Sequence, residues 1–180
     1  LTSPMRLFVG LLFIGFFSFF TAPEFTDWGG YNGGDNRNHF SPLTQINVNN
    51  VKNLKLAWSY SSGGADTVNQ TTQIQCNPII IQGVLYGVSA GSQAFALDAK
   101  SGREIWKTAI QEKTPSMNSR GVAFYSSPGQ RSKIFFGYGS YLFALDAKTG
   151  KPVENFGQHG KINLLDGIRR PGSDDYTVLN

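Results

Sequence analysis

Two polar residues stand just ahead of apolar runs, and they are the chain's clearest candidates for chemistry. Arg120 lies in Asn118-Ser-Arg-Gly-Val-Ala-Phe-Tyr125, and Gln75 lies in Thr72-Gln-Ile-Gln-Cys-Asn-Pro78. A guanidinium at the mouth of a strand can aim its planar fork of donors at a ligand carboxylate and grip it bidentately. The plain alternative is a surface arginine opening a strand. Other chemistry is poorly provided for. His39 and His159 have no second His or Cys at ligand spacing, so they read as surface or loop histidines. There is no Gly-x-Ser-x-Gly elbow, and the single cysteine, Cys76, has no local basic partner, no zinc-type spacing and no disulfide partner within the chain. Gly137-Tyr-Gly139 begins like a dinucleotide loop, but the third glycine position is Leu142 and the run continues as a strand. Asn69-Gln-Thr71 matches a glycosylation acceptor, a pattern relevant only in a eukaryotic secretory pathway.

The elements that must position Arg120 and Gln75 are written as a repeat. Phe95-Ala-Leu-Asp-Ala-Lys-Ser-Gly102 returns forty-eight residues later as Phe143-Ala-Leu-Asp-Ala-Lys-Thr-Gly150, and Trp58 precedes Trp106 by the same step. A step of this size belongs to a repeat array. With 21 glycines, 13% aromatic and only 16% charged residues, the composition favours short strands and tight turns, which makes the class all-β. In the whole unit, residues 79–81 and 84–89 are apolar runs broken by Gln82-Gly83, a hairpin signal. Residues 94–97 form a third strand, Asp98 to Gly102 a turn, and residues 103–107 a fourth strand. The turn's Asp can accept backbone N–H groups ahead of it, and its Gly can take a positive φ. Four strands and a closing Trp describe a blade of a β-propeller.

The second unit repeats the order through residues 122–125, 133–137 and 141–145. Glu154 stands where Trp106 recurs by spacing, with Phe156 two residues on, so the closing strand is altered; residues 157–165 and the polar 166–176 are expected to leave the blade. Ahead of the whole unit, Leu56-Ala-Trp58-Ser-Tyr60 alternates as a strand should, as the tail of a preceding unit. Residues 24–41 carry too many glycines and asparagines for a helix and too little alternation for a strand, and read as an ordered loop studded with aromatics. Because a repeat unit cannot bury its apolar face without neighbours, two to three units predict part of a longer array.

Residues 1–22 contain Met5-Arg6, an apolar run over 7–20 and Thr21-Ala-Pro23, the pattern of an export signal peptide. An uncleaved anchor is the rival, but fourteen apolar residues span only about 21 Å as a helix, less than the roughly 30 Å of bilayer hydrocarbon. No cysteine follows the run, which excludes a bacterial lipoprotein anchor. The net charge of +4 is spread without a dense Lys/Arg run, so no nucleic-acid partner is expected.

Taken together, Asp27-Trp-Gly-Gly-Tyr31, His39-Phe-Ser-Pro-Leu-Thr-Gln-Ile-Asn47, Leu54-Lys-Leu-Ala-Trp58, Gln75-Cys-Asn-Pro78, Arg120-Gly-Val-Ala-Phe-Tyr125 and the two Phe-Ala-Leu-Asp-Ala turns resemble the N-terminal segment of the quinoprotein dehydrogenases that use pyrroloquinoline quinone (PQQ). The branch they look most like is that of glucose dehydrogenase. The resemblance spans residues 23–180 and implies an eight-bladed propeller of four-stranded blades, with tryptophan-docking contacts between blades and the quinone beside a calcium ion at one end of the axis. It implies that Arg120 meets the cofactor's carboxylates and that Gln75 lines the same pocket, where methanol-type relatives carry Glu; an amide keeps the contact without the charge. The methanol and ethanol branch has two adjacent cysteines shortly before the Arg, and Lys113-Thr-Pro-Ser-Met117 has none, which favours sugars and polyols. Calcium ligands and a catalytic Asp are expected beyond residue 180, so the chain alone is expected to be inactive. The implied parent is a periplasmic or envelope enzyme oxidising a sugar, polyol or alcohol, with a quinone or cytochrome as acceptor and a possible membrane association. The alternative is a non-catalytic propeller of the same repeat type serving envelope assembly.

Overall fold

The computed structural model describes residues 27–34, 36–70, 72–109 and 119–167. The signal-peptide region and the cysteine-free stretch 113–117 lie outside them. Among the described residues eight strands form two four-stranded antiparallel sheets, each a simple meander. The first sheet comprises β1 (Ile79–Ile81), β2 (Val84–Val88), β3 (Gln93–Asp98) and β4 (Glu104–Ala109). The second comprises β5 (Ala123–Tyr125), β6 (Lys133–Tyr138), β7 (Tyr141–Asp146) and β8 (Lys161–Asn163). The only helical pieces among the described residues are two single 3-10 turns, Tyr31–Gly33 and Val51–Asn53.

Local chemistry explains most of these boundaries. The β1–β2 hairpin closes through Gln82 (φ 49°) and Gly83 (φ 78°), with Ile81 paired to Val84. Positive φ at both central residues is the twist-matched two-residue turn that right-handed strands require. After β3, Asp98 Oδ1 accepts the Ser101 N–H at 2.8 Å and hydroxyl at 2.7 Å; after β7, Asp146 Oδ1 accepts the Thr149 N–H and hydroxyl, each at 2.9 Å. The same turn is thus built twice by the same side chain.

The core lies between the sheets. Ile79, Tyr86, Val88, Ala94, Ala96 and Trp106 of the first face Ile134, Phe136, Tyr138, Phe143 and Leu145 of the second, all at most 9% exposed. Ala94 and Ala96 of β3 share this cluster with the larger Phe136, Tyr138 and Phe143, a mix of small and large side chains that suits close packing. Trp106 locks the two blades: its indole N–H donates to Ala147 C=O at 2.9 Å across 41 residues. The preceding copy, Trp58, donates to Ala99 C=O at 3.2 Å, also across 41 residues. Each ring lies against the glycine that ends the turn, Gly150 or Gly102, where a Cβ would come within 2.5 Å of it. The tryptophan docking expected between blades is present between the two described sheets through Trp106, and Trp58 makes the same contacts on the first sheet from a segment outside both.

Two expectations need correction. Leu56 to Tyr60 joins no sheet among the described residues; Trp58 packs on Gly102 and Tyr60 meets Phe95 of the first sheet at 5.2 Å, while Leu56 stays exposed. Residues 157–165 do not leave the second blade. Pro152, which lacks an N–H, bridges to Leu145, Val153 N–H donates to Ala144 C=O, and after a loop the chain returns as β8, pairing Lys161 with Phe143 and Asn163 with Tyr141. The fourth strand is split in two around an insertion, and Phe156 within it packs edge-on against Phe135 at 5.4 Å.

Candidate functional site

Gln75 and Arg120, forty-five residues apart and belonging to different blades, line one cavity of about 530 Å³. The lead-in segments to β1 and β5 bring them there by running parallel and touching: Asn77 bridges Gly121, and both the backbone N–H and the side-chain amide of Asn77 donate to Arg120 C=O at 3.0 Å. Ser119, buried just upstream, donates its hydroxyl to Gly121 C=O at 3.2 Å and tightens the same corner.

The cavity has a polar side of Gln75, Asn77 and Arg120 and an apolar side of Val122, Ala123, Phe135 and Leu142. The apolar side comes from period-two alternation: Phe135 and Gly137 point away from the face that Ile134, Phe136 and Tyr138 bury. Among the described residues, Arg120, which is exposed, is the only charged residue lining the cavity, and none of the ion pairs involves it. The Gln75 amide donates to Gln73 Oε1 at 2.8 Å, which fixes its orientation. Such a cavity suits a planar, mostly unsaturated anion: one guanidinium and two amides for oxygens, and hydrocarbon for a ring face.

Cys76, between Gln75 and Asn77, turns away from the cavity and accepts the Val88 N–H at 3.3 Å. Burial pushes its thiol up from the ordinary range, so it is poorly suited to nucleophilic work. His39 and His159 are exposed, His159 pairing with Glu154 at 2.9 Å. No three His, Cys, Asp or Glu side chains come together among the described residues, so none of these side chains forms a calcium cage there. A larger cleft of about 850 Å³ lies along the outer turns of the second blade, lined by Arg131, Lys133, Asp146 and Glu154 among others; its charges are mixed and it holds neither candidate residue.

Two lining residues escaped the sequence reading. Asn77 was hidden in Asn-Pro, which signals only a turn. Tyr31 reaches the cavity from the glycine-rich segment, whose destination no local pattern reveals.

Stacked four-stranded meanders, joined by the Trp106 lock and by the pairing of their lead-in segments, define a β-propeller domain. Residues 28–180 match the family described as "PQQ: Glucose/ethanol/alcohol dehydrogenase, beta-propeller domain", and the chain belongs to that family. It is 32% identical over 160 residues to the glycerol dehydrogenase large subunit of Gluconobacter oxydans, covering 82% of this chain and 22% of that protein. Against the quinoprotein glucose dehydrogenase of Escherichia coli it is 33% identical over 165 residues, covering 81% and 21%. The solved quinohemoprotein alcohol dehydrogenase of Comamonas testosteroni superposes with a TM-score of 0.64 at 29% identity, covering 79% of this chain and 20% of that one. The chain spans about a fifth of the length of these relatives, which include both sugar or polyol and alcohol enzymes.

Proposed function

We propose that this chain is the N-terminal part of an exported, PQQ-dependent dehydrogenase that oxidises the CH–OH group of a sugar, polyol or alcohol, and that Arg120 and Gln75 hold the cofactor. The observation that carries the reading is the convergence of these two residues, from separate blades, on one cavity where Arg120 is the one charged lining residue among those described. PQQ is a fused aromatic tricarboxylate, and its carboxylates need cationic and donor partners when they leave water. Arg120 would supply the charge-assisted bond, Gln75 an amide that both donates and accepts, and Phe135, Val122 and Leu142 a water-excluding wall for the rings. When bound, PQQ supplies the two-electron oxidant. The residues of this chain do no proton transfer in that scheme; they bind and orient, which matters because a misplaced reactive carbonyl forfeits proximity. Calcium beside the quinone, a catalytic Asp and the onward acceptor, a quinone or cytochrome, belong to the remainder of the parent protein.

Export is supported by the apolar run and small-residue site in residues 1–22. No helix among the described residues is long and apolar enough to cross a membrane. The absent cysteine pair before Arg120 favours a sugar or polyol over methanol-type substrates.

The test is titration of the complete protein with PQQ. A hydrogen bond to a charged group contributes about 1.5–3 kcal/mol, so Arg120→Ala should weaken PQQ binding roughly 10- to 100-fold. Unchanged affinity would remove Arg120 from the site, and failure of the unsubstituted protein to bind PQQ would favour the scaffold alternative.

A further inference from the structure

The described residues of the glycine-rich segment, 27–34 and 36–39, are folded back and pinned on the free edge of β1. Trp28 exchanges both backbone hydrogen bonds with Ile80, at 2.8 and 2.9 Å, and Asp27 Oδ1 accepts the Gln82 N–H at 2.6 Å. The Trp28 ring lies against Gly33, where a Cβ would stand 3.1 Å from it and where φ is +103°, a backbone that favours glycine. Gly33 N–H closes the 3-10 turn on Gly30 C=O at 3.1 Å, and His39 N–H returns to Asn32 C=O at 3.0 Å. The anchored turn carries one large side chain into the cavity of Gln75 and Arg120, and that is Tyr31.

Tyr31 itself is 57% exposed, and its hydroxyl has no hydrogen-bond partner among the described residues. An apolar side chain of that size would ordinarily be used to fill the core, whereas a phenol held by its backbone with its ring and hydroxyl unspent is arranged for something outside the chain. It is the only phenol lining the cavity among the described residues, and its two side-chain torsions cost little to order on binding. We propose that Tyr31 is a further ligand-binding residue of this site, donating its hydroxyl to an oxygen of the bound tricarboxylate and closing the pocket with its ring. The inference rests on the reading that Arg120 and Gln75 hold PQQ; the glycines and Trp28 exist to position Tyr31.

Equilibrium dialysis of the complete protein with PQQ separates the two readings. Tyr31→Phe removes the donor and should raise Kd about 3- to 10-fold; Tyr31→Ala, which also removes the ring, should raise it by more than tenfold. The melting temperature of the PQQ-free protein should be unchanged in both. Tyr125→Phe, an exposed tyrosine that does not line the cavity, should leave Kd unaltered. If Arg120→Ala weakens binding while Tyr31→Phe stays within twofold of the unsubstituted protein, the Tyr31 inference is overturned and the site stands. If neither substitution weakens binding, both readings fall. A loss of affinity accompanied by an equal loss of PQQ-free stability in Tyr31→Phe would assign Tyr31 a structural role and likewise overturn the inference. Tyr31→Phe, which keeps the ring, decides the matter should Tyr31→Ala fail to fold.

Discussion

Replacing Trp106 by alanine tests whether the tryptophan locks, rather than the sheets alone, hold successive blades together. Trp106 is 9% exposed, packs on Gly150, sits 6.1 Å from the Tyr86 ring and donates to a carbonyl in the next blade. Removing a buried Trp costs about 3–5 kcal/mol, of which about 1 kcal/mol is the lost hydrogen bond. Trp58 makes the same hydrogen bond and the same glycine contact but is only half-buried, so Trp58→Ala should cost roughly half as much. Gly150→Ala probes the other side of the lock. It places a Cβ within 2.5 Å of the Trp106 ring on a backbone at φ +69°. Left-handed strain of about 1–2 kcal/mol and overpacking of about 1–3 kcal/mol should together match the loss from Trp106→Ala, and the two substitutions should be far from additive because they break one contact. Urea unfolding of the complete protein, followed by far-UV circular dichroism, supplies the midpoints, with the slope expected to be constant across variants. Equal losses at Trp58 and Trp106, full additivity of Trp106→Ala with Gly150→Ala, or a Trp106 loss below about 1 kcal/mol would refute the lock.

The remaining expectations are smaller. Gly83→Ala, in the β1–β2 turn at φ 78°, should destabilise by about 1–2 kcal/mol without changing PQQ affinity, as read by thermal melting beside a titration. Asp146→Ala should cost about 1–3 kcal/mol, because it strips a largely buried turn of the acceptor that holds Lys148 and Thr149, and thermal melting would detect it. Burial raises the Cys76 thiol, so folded protein should react with a thiol reagent at pH 8 more slowly than urea-unfolded protein. The sign of the linked stability follows: with the folded value raised, that stability is fully present below the ordinary thiol range and is lost as pH rises through the folded value. A folded-state labelling rate equal to the unfolded one would contradict it.

Which features were legible depended on how locally they are determined. Asp98 and Asp146 bond to N–H groups two or three residues ahead, Gln82-Gly83 needs only its own φ angles, and alternation in β6 and β7 is set by the pleat. These can be read in a window of a few residues, and the forty-eight-residue step then assembles them into blades. Gln75 and Arg120 could be singled out because each is a polar residue beside an apolar run, and the family resemblance placed them together. Their partners could not be found this way: Asn77 is ordinary until its amide meets the Arg120 carbonyl, and Tyr31 is one aromatic among several until Trp28 pairs with Ile80. The split fourth strand was missed for the same reason, since residues 161–163 have no strand pattern of their own and are extended only because β7 offers them an unpaired edge.

The sequence by itself determined the class, the repeat, the turns and the tryptophans, because each follows from backbone preferences and periodicities that short-range chemistry enforces. Tertiary structure alone decided that the two lead-in segments meet in parallel, that a pinned glycine-rich turn brings Tyr31 beside them, and that Trp58 docks without a ladder of its own. Those outcomes come from hydrogen bonds and packing between residues forty or more positions apart, for which no local preference chooses a partner; the edge of β1 and the face of β6 choose it instead.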